Sequence, residues 1–390
     1  MFPSDQPCTS STHSSSPPSP PYPQKPTSLN PHSTFLTTNH QCIATFKSQN
    51  SYTSSLILMG DFLFTGSSNK EIRLLKRSTL TPPPDDQNPT LVLAGKGAVK
   101  ALVALPNKLI SAHQDHKIRV WKINQIDFHI ISHLATLPTL SDRALKLLIP
   151  KNHIQIRRHK KCTWVHHNDT VSALALSRDE SKLYSVSWDR TLKIWNTTDF
   201  KCIESVNNAH DDAINAIVLS ENGHVYTGSS DKKIKVWKQS LGQKKHSLVA
   251  TLEKHKSGIN ALAVRTNENQ EMVLYSGSYD KSILVWMINE GEMEVVEALK
   301  GHTKSILCLA VTSEFLCSGS ADKTVRIWRG VGKSYSCLAV LEGHKGPIKC
   351  IAVGFDHTEK NASEGLSNCV LYSASLDCDI KVWKIFLPLP

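Results

Sequence analysis

The stretch Tyr226-Thr227-Gly228-Ser229-Ser230-Asp231-Lys232-Lys233-Ile234-Lys235-Val236-Trp237 decides the fold. It reads as a strand, a tight turn at Ser230-Asp231-Lys232, and a second strand in which Ile234 and Val236 alternate with Lys233 and Lys235. Alternation with a period of two marks a half-buried strand. The pattern recurs at Tyr184 to Trp195, Tyr275 to Trp286, Cys317 to Trp328 and Tyr372 to Trp383. Ile110 to Trp121 matches less well. Phe64 to Leu75 is a decayed copy, with Asn69 for the Asp and Leu75 for the Trp. Repetition on this scale means a repeat architecture.

A second half of each unit precedes the signature. His167, His210, His255, His302 and His344 each stand four residues before Val171, Ile214, Ile259, Ile306 and Ile348. Trp195 to Trp237 and Trp286 to Trp328 are both 42 residues apart. Four strands per unit at that spacing predict a propeller blade. The fold class is therefore all-β, a seven-bladed β-propeller over residues 39–386.

Closure is also readable. Gln41-Cys42-Ile43-Ala44-Thr45-Phe46 resembles the segments opening at Lys201-Cys202 and Ser336-Cys337, each of which follows a Trp strand. After the last Trp, Trp383, only seven residues remain. Residues 39–47 are thus expected to supply the fourth strand of the last blade, which leaves no open sheet edge between the ends. Longer gaps at 76–89, 122–160 and 354–368 read as inter-strand insertions, all at one end of the ring. In the largest, Ser141-Asp142 is placed to cap a helix running from Ala144 to Leu148 before Pro150 stops it. Residues 1–38, rich in Pro, Ser and Thr, cannot bury a core and read as a disordered tail. Ser16-Pro17 and Ser19-Pro20 are candidate phosphorylation sites in it.

The repeated polar residues have a physical reading. A buried indole N–H can only donate, so it needs an acceptor. A Ser or Thr hydroxyl accepts it and donates onward to an imidazole, whose other nitrogen donates to the turn Asp. Such a closed chain strengthens itself in a low dielectric. The complete sets are His167, Ser185, Asp189 and Trp195; His210, Thr227, Asp231 and Trp237; His255, Ser276, Asp280 and Trp286; His302, Ser318, Asp322 and Trp328; and His344, Ser373, Asp377 and Trp383. Blade one keeps only Thr65. Blade two has Gly95 where the His should stand, so these two blades are expected to be the softest. Ser, His and Asp together suggest a catalytic triad, but an active site is needed once and a staple in every blade. No GxSxG, P-loop or HExxH pattern occurs, and no enzyme is expected. His113 with His116, and His166 with His167, lack a ligand set for a metal, and no cofactor is implied.

Composition narrows the remaining classes. The chain has 390 residues, 40% of them hydrophobic, and no run of eighteen apolar residues that could span a membrane. Ten cysteines form no CxxC pair and read as reduced thiols of an intracellular protein, cytoplasmic or nuclear. Cys42, Cys162, Cys202 and Cys337 open similar strands and read as a packing position. The net charge of +11 invites a nucleic-acid partner. Much of the Lys and Arg, however, sits beside the turn Asp or on polar strand faces, and no nucleic-acid motif supports direct binding.

The His…Ser/Thr…Asp…Trp units resemble WD-repeat propellers over residues 40–386. More narrowly, Leu134 to Arg143 followed by Arg157-Arg158-His159-Lys160-Lys161 resembles the insertion of plant JINGUBANG-type WD-repeat proteins. That resemblance implies a regulatory, non-enzymatic role linked to pollen germination and to transcription-factor partners. The rival is a substrate receptor of a cullin-type ubiquitin ligase. Plant receptors of that kind often carry Asp after the strand-ending Trp, whereas here Lys122, Asn196, Lys238, Met287, Arg329 and Lys384 follow.

A propeller without an active site works through its surfaces. The residue before the turn Asp is presented at the end shared with the His loop, here called the top. It is Gln114, Trp188, Ser230, Tyr279, Ala321 and Leu376 in blades two to seven. Trp188 and Tyr279 are large aromatics where other copies carry Ser or Ala, and such rings anchor protein interfaces. With Gln114 and Leu376 they are the candidate partner-binding residues. Arg157 and Arg158 on the insertion side are the alternative, as an acidic-partner patch or a nuclear signal.

Overall fold

The computed structural model describes residues 39–47, 51–77, 90–124, 130–147, 153–157, 160–240, 242–266, 271–289, 292–355 and 366–388. The N-terminal tail with its Ser-Pro pairs, most of 76–89 and Arg158 lie outside these residues. Arg157 is described only as the last residue of the strand His153–Arg157.

Seven four-stranded antiparallel sheets make up the ring. Blades one to six span 53–94, 99–137, 171–206, 214–252, 259–299 and 306–341. Blade seven takes three strands from 348–388 and its fourth from Asn39–Lys47. Within each blade we call the strands inner, second, Trp strand and outer. The inner strands of neighbouring blades pack against one another all the way round, so they surround the axis.

Blade four shows why the sequence folds this way. Val225 pairs with Trp237, Tyr226 with Val236 and Gly228 with Ile234 across the Ser230-Asp231-Lys232 turn. The turn needs a left-handed residue after the Asp, and Lys232 takes it with φ of 74°. Arg190, Lys281, Lys323 and Cys378 do the same in their blades. Alternate residues of each strand face the next blade, so the core lies between blades. Ile214, Val225 and Trp237 of blade four pack on Tyr184 and Ile194 of blade three. Full burial of one such side chain contributes roughly 1.5–3 kcal/mol.

The strand Asn39–Lys47 runs antiparallel to Asp379–Pro388, with Cys42 opposite Trp383 and Phe46 opposite Ile380. Both ends of the described chain therefore meet in one sheet. Ala44, Phe46 and Ile43 pack against a core that includes Tyr372 and Val382.

The 122–160 segment differs from expectation. Its middle is the outer strand of blade two, Ile130–Leu137, paired with the Trp strand so that Leu137 faces Ile118 and His133 faces Trp121. The outer strands at Cys42, Cys202 and Cys337 share a cysteine opposite the Trp, but here His133 takes that place, which is why this strand reads as insertion. A helix at Leu140–Leu147 and a hairpin of His153–Arg157 with Lys160–Thr163 then join the outer strand of blade two to the inner strand of blade three. That connection belongs to the top end, so the insertions do not all share the opposite end. The helix cap is Thr139, whose Oγ1 accepts the Asp142 N–H at 3.2 Å, rather than Ser141-Asp142. Asp142, only 2% exposed, instead accepts the N–H of Cys202 on the outer strand of blade three at 3.0 Å. Cys202 is buried in a cluster with Leu137, Val165 and Phe200, while Cys42 and Cys337, opposite the equivalent Trp residues, are exposed. Of these three cysteines only Cys202 is a packing position.

Candidate functional site

The top end is built on the staples. In blade four the Trp237 indole N–H donates to Thr227 Oγ1 at 2.9 Å, Thr227 meets His210 Nε2 at 2.8 Å, and His210 Nδ1 meets Asp231 Oδ2 at 2.8 Å. His255, His302 and His344 repeat this chain with their Ser, Asp and Trp, all steps between 2.8 and 3.0 Å. In blade three His167 Nδ1 is closer to Thr191 Oγ1, at 2.9 Å, than to Asp189 Oδ2, at 3.4 Å. Thr191 passes the bond on to Asp189 Oδ1 at 2.6 Å. Ser185 and Trp195 complete that chain.

Each turn Asp does more than hold the imidazole. Asp231 Oδ2 also accepts the N–H of Asp211, and its Oδ1 accepts that of Lys233. Burial opposes the charge of Asp231, but the His210 bond and these N–H groups outweigh it and hold the carboxyl down at about 2. Asp280 is held at about 2 against burial by Ser282 and His255. Burial pushes His167, His255, His302 and His344 below the ordinary histidine value despite their Asp partners. In the staples of His255, His302 and His344 the resting pair is therefore a neutral imidazole donating from Nδ1 to an ionised carboxylate. That arrangement binds two loops together.

Two parts of this network escape the sequence reading. The first is a second serine, two residues before each turn Asp: Ser187, Ser229, Ser278, Ser320 and Ser375, all fully buried. Each hydroxyl accepts the Asp N–H, at 3.1–3.2 Å. The signal was present as Ser at that position in all five copies. The second is His113. In blade two Trp121 donates to Ser111 at 2.8 Å, and Ser111 meets His113 Nε2 at 2.7 Å. His113 Nδ1 donates to the Gly97 carbonyl at 2.9 Å. An imidazole from the second strand thus fills the place of the missing loop histidine. A Cβ on residue 95 would lie 2.8 Å from that ring, so Gly95 makes the room. His116 does not join it, and His166 bonds Thr163. Among the described residues no three His, Cys, Asp or Glu side chains gather where a metal ion could sit. None of the described helices is long and apolar enough to cross a membrane.

The residue before each turn Asp is fixed by one recurring bond. Gln114, Trp188, Ser230, Tyr279, Ala321 and Leu376 donate their N–H groups to Ala98, Thr170, Ala213, Gly258, Ser305 and Pro347, at 2.9–3.1 Å. Their side chains project from rigid backbone. Gln114 is exposed, and Trp188, Tyr279 and Leu376 are 41%, 49% and 42% exposed. Tyr279 lies over Gly258 beside Ser230, since a Cβ at 258 would stand 3.2 Å from its ring and 3.0 Å from Ser230 Cα. Lys100 Nζ sits 5.6 Å from the Trp188 ring centroid. The aromatics therefore flank blade four on the top rim.

Comparison with known proteins agrees with this architecture. The profile of the WD domain, G-beta repeat family matches residues 159–196, 200–238, 246–287, 293–329 and 335–384. The chain is 28% identical over 154 residues to zinc finger CCCH domain-containing protein 62 of Arabidopsis thaliana, covering 38% of this chain and 34% of that one. It is 30% identical over 159 residues to an uncharacterized WD repeat-containing protein of Schizosaccharomyces pombe, covering 39% and 42%. Ribosome biogenesis protein YTM1 of Scheffersomyces stipitis is 23% identical over 263 residues, covering 62% and 56%. The chain thus spans between a third and somewhat over half the length of these relatives. With the family profile covering more than half of its residues, the chain belongs to the WD-repeat family of β-propellers.

Proposed function

We propose that the chain is a non-enzymatic scaffold that holds a protein partner on its top rim through Trp188 and Tyr279. The observation that supports this is an exposed tryptophan and an exposed tyrosine on backbone pinned by hydrogen bonds. A ring held this way loses little conformational entropy on binding and buries a large area. The similarity to a ribosome biogenesis protein favours a partner inside a larger assembly. The Leu134 to Arg143 stretch favours a regulatory partner such as a plant transcription factor, in cytoplasm or nucleus.

The test is proximity labelling of the intact chain, followed by measured affinity for the partner recovered. Trp188→Ala or Tyr279→Ala should weaken binding by about 2 kcal/mol, roughly thirtyfold, with the melting temperature nearly unchanged. Charge reversal at Arg157 and Arg158 should leave binding intact. The opposite result, loss on charge reversal with both aromatic variants binding normally, moves the working surface to the insertion.

A further inference from the structure

A repeat protein supplies its own control, because seven copies show what a position does for the fold. In all seven blades the register slips at the second residue of the inner strand, so that residue is bulged out. A bulge re-aims its side chain, here towards the neighbouring blade. In four blades the residue is short and polar and latches the next blade. Ser54, Ser172, Asn215 and Asn260 donate to the carbonyls of Val99, Ile214, Ile259 and Ile306.

Blades two and seven depart from this rule in the same way. Their bulged residues are Lys100 and Lys349. In blade seven the latch has moved one residue on, where the Cys350 thiol donates to the Thr53 carbonyl at 3.7 Å. Lys349 is thereby released from a structural task. The two lysines flank blade one, both half-buried, and neither has an acidic partner among the described residues. Burial, and after it the charge of Lys349, holds the Lys100 ammonium below its ordinary value. Trp188 forms a wall beside Lys100. Lys100 and Lys349 occupy the same bulged position at the top of the inner strands on either side of blade one, and a partly buried ammonium such as Lys100 is favoured by an anion that joins it.

We propose that Lys100, Lys349 and Trp188 form an anion subsite at the top mouth of the axis, which takes an aspartate or glutamate side chain of the docked protein segment. It rests on the reading that the partner docks on the top rim, and names the chemistry recognised there. The ammonium groups hold the carboxylate, and the Trp188 ring covers the apolar neighbour of the acidic residue. A nucleic acid fits less well. Asp169, Asp211 and Asp212 stand exposed on the adjoining top loops of blades three and four and repel an extended polyanion.

The probe is a short fluorescein-labelled peptide with adjacent glutamates beside a leucine, and its glutamine counterpart. Anisotropy gives the affinity. Trp188, the only exposed tryptophan among the described residues, gives a second signal through its emission. The glutamate peptide should bind, shift that emission and weaken with salt. The glutamine peptide should bind about tenfold more weakly. Lys100→Gln and Lys349→Gln should each cost about tenfold, whereas Lys100→Arg and Lys349→Arg keep binding, and Lys238→Gln at the other end changes nothing. Circular dichroism checks that the variants fold. Equal affinity for both peptides, no binding to the native chain, or indifference to both Gln variants overturns the proposal. So does a phosphoserine requirement or tighter binding of an oligonucleotide. Should Trp188→Ala and Tyr279→Ala lose the recovered partner while the Lys→Gln variants keep it, the rim reading stands and the anion subsite falls.

Discussion

Blade four and blade two close the same polar chain with different atoms. In both, a buried tryptophan donates to a hydroxyl on the second strand, and that hydroxyl meets an imidazole. In blade four the imidazole comes from the connecting loop and ends on Asp231. In blade two it comes from the second strand itself and ends on the Gly97 carbonyl. Asp115, freed from the imidazole, pairs with Arg119, which is 8% exposed. The difference teaches that the fold demands an acceptor for the indole and a filled space, not a particular histidine. It also separates two jobs that blade four combines, since only there does the staple reach across to a charged turn.

The comparison breaks most visibly with pH. His113 sits at about 4, pushed down by burial, and His167, His255, His302 and His344 are also lowered. In the unfolded chain these histidines titrate near their ordinary value of about 6.5. Folded pKa values below unfolded ones mean that the unfolded state binds more protons, so stability falls as pH drops below about 6.5. The turn carboxylates add to this at lower pH. Asp231 and Asp280, at about 2 when folded, contribute stability that is lost between about pH 4 and 2. Melting curves should therefore shift down steadily from pH 7 to pH 4. His113→Gln should reduce the slope between pH 6.5 and 4 and leave the later fall unchanged, because blade two has no imidazole on a turn carboxylate. A slope that does not respond to His113→Gln would show that this imidazole is already protonated in the fold.

Substitutions at the chain itself come next. Asp231→Ala removes an acceptor from a buried imidazole and two N–H groups and should cost roughly 2–4 kcal/mol. If His113 has taken over the staple of blade two, His113→Ala should cost a similar amount, since Ser111 and the Gly97 carbonyl lose their partner and a cavity opens. Gly95→Ala should cost less, about 1–3 kcal/mol, through the contact its Cβ would make with the His113 ring. Urea titration ranks the three. A negligible effect of His113→Ala would mean that blade two tolerates an open staple.

Much of this architecture was legible in the chain because the residues that carry it are chemically obliged to be there. A buried indole needs an acceptor, a tight turn needs an acceptor for its free N–H groups, and both recur at fixed spacing from Tyr184 to Trp383. The outer strand Ile130–Leu137 was not legible, since it carries His133 where the outer strands read from sequence carry Cys42, Cys202 and Cys337 opposite the Trp. His113 was hidden for another reason. The property that lets it act is the empty volume above Gly95, and volume is not written at any one position. The top position of Trp188 and Tyr279 followed from the turn, whereas the pairing of Trp188 with Lys100 depends on a bulge that pairing registers alone reveal.

The smallest effect tests the far end of the comparison, blade one. There Leu75 stands where the tryptophan should be, so the fold has no indole to satisfy. The turn half of the network survives. Ser67 donates to the Asn69 side chain, and Asn69 Oδ1 accepts the Glu71 N–H at 3.3 Å. Asn69 is exposed, so water replaces these bonds when they are lost. Asn69→Ala should thus cost only about 0.5–1 kcal/mol, the net worth of a solvent-accessible hydrogen bond or two. Asn69→Asp adds the carboxylate of the other blades but no imidazole for it to hold, and should gain little. If instead Asn69→Ala destabilised the chain as much as Asp231→Ala, the turn alone would be the stabilising unit. The tryptophan, hydroxyl and histidine would then be incidental to it.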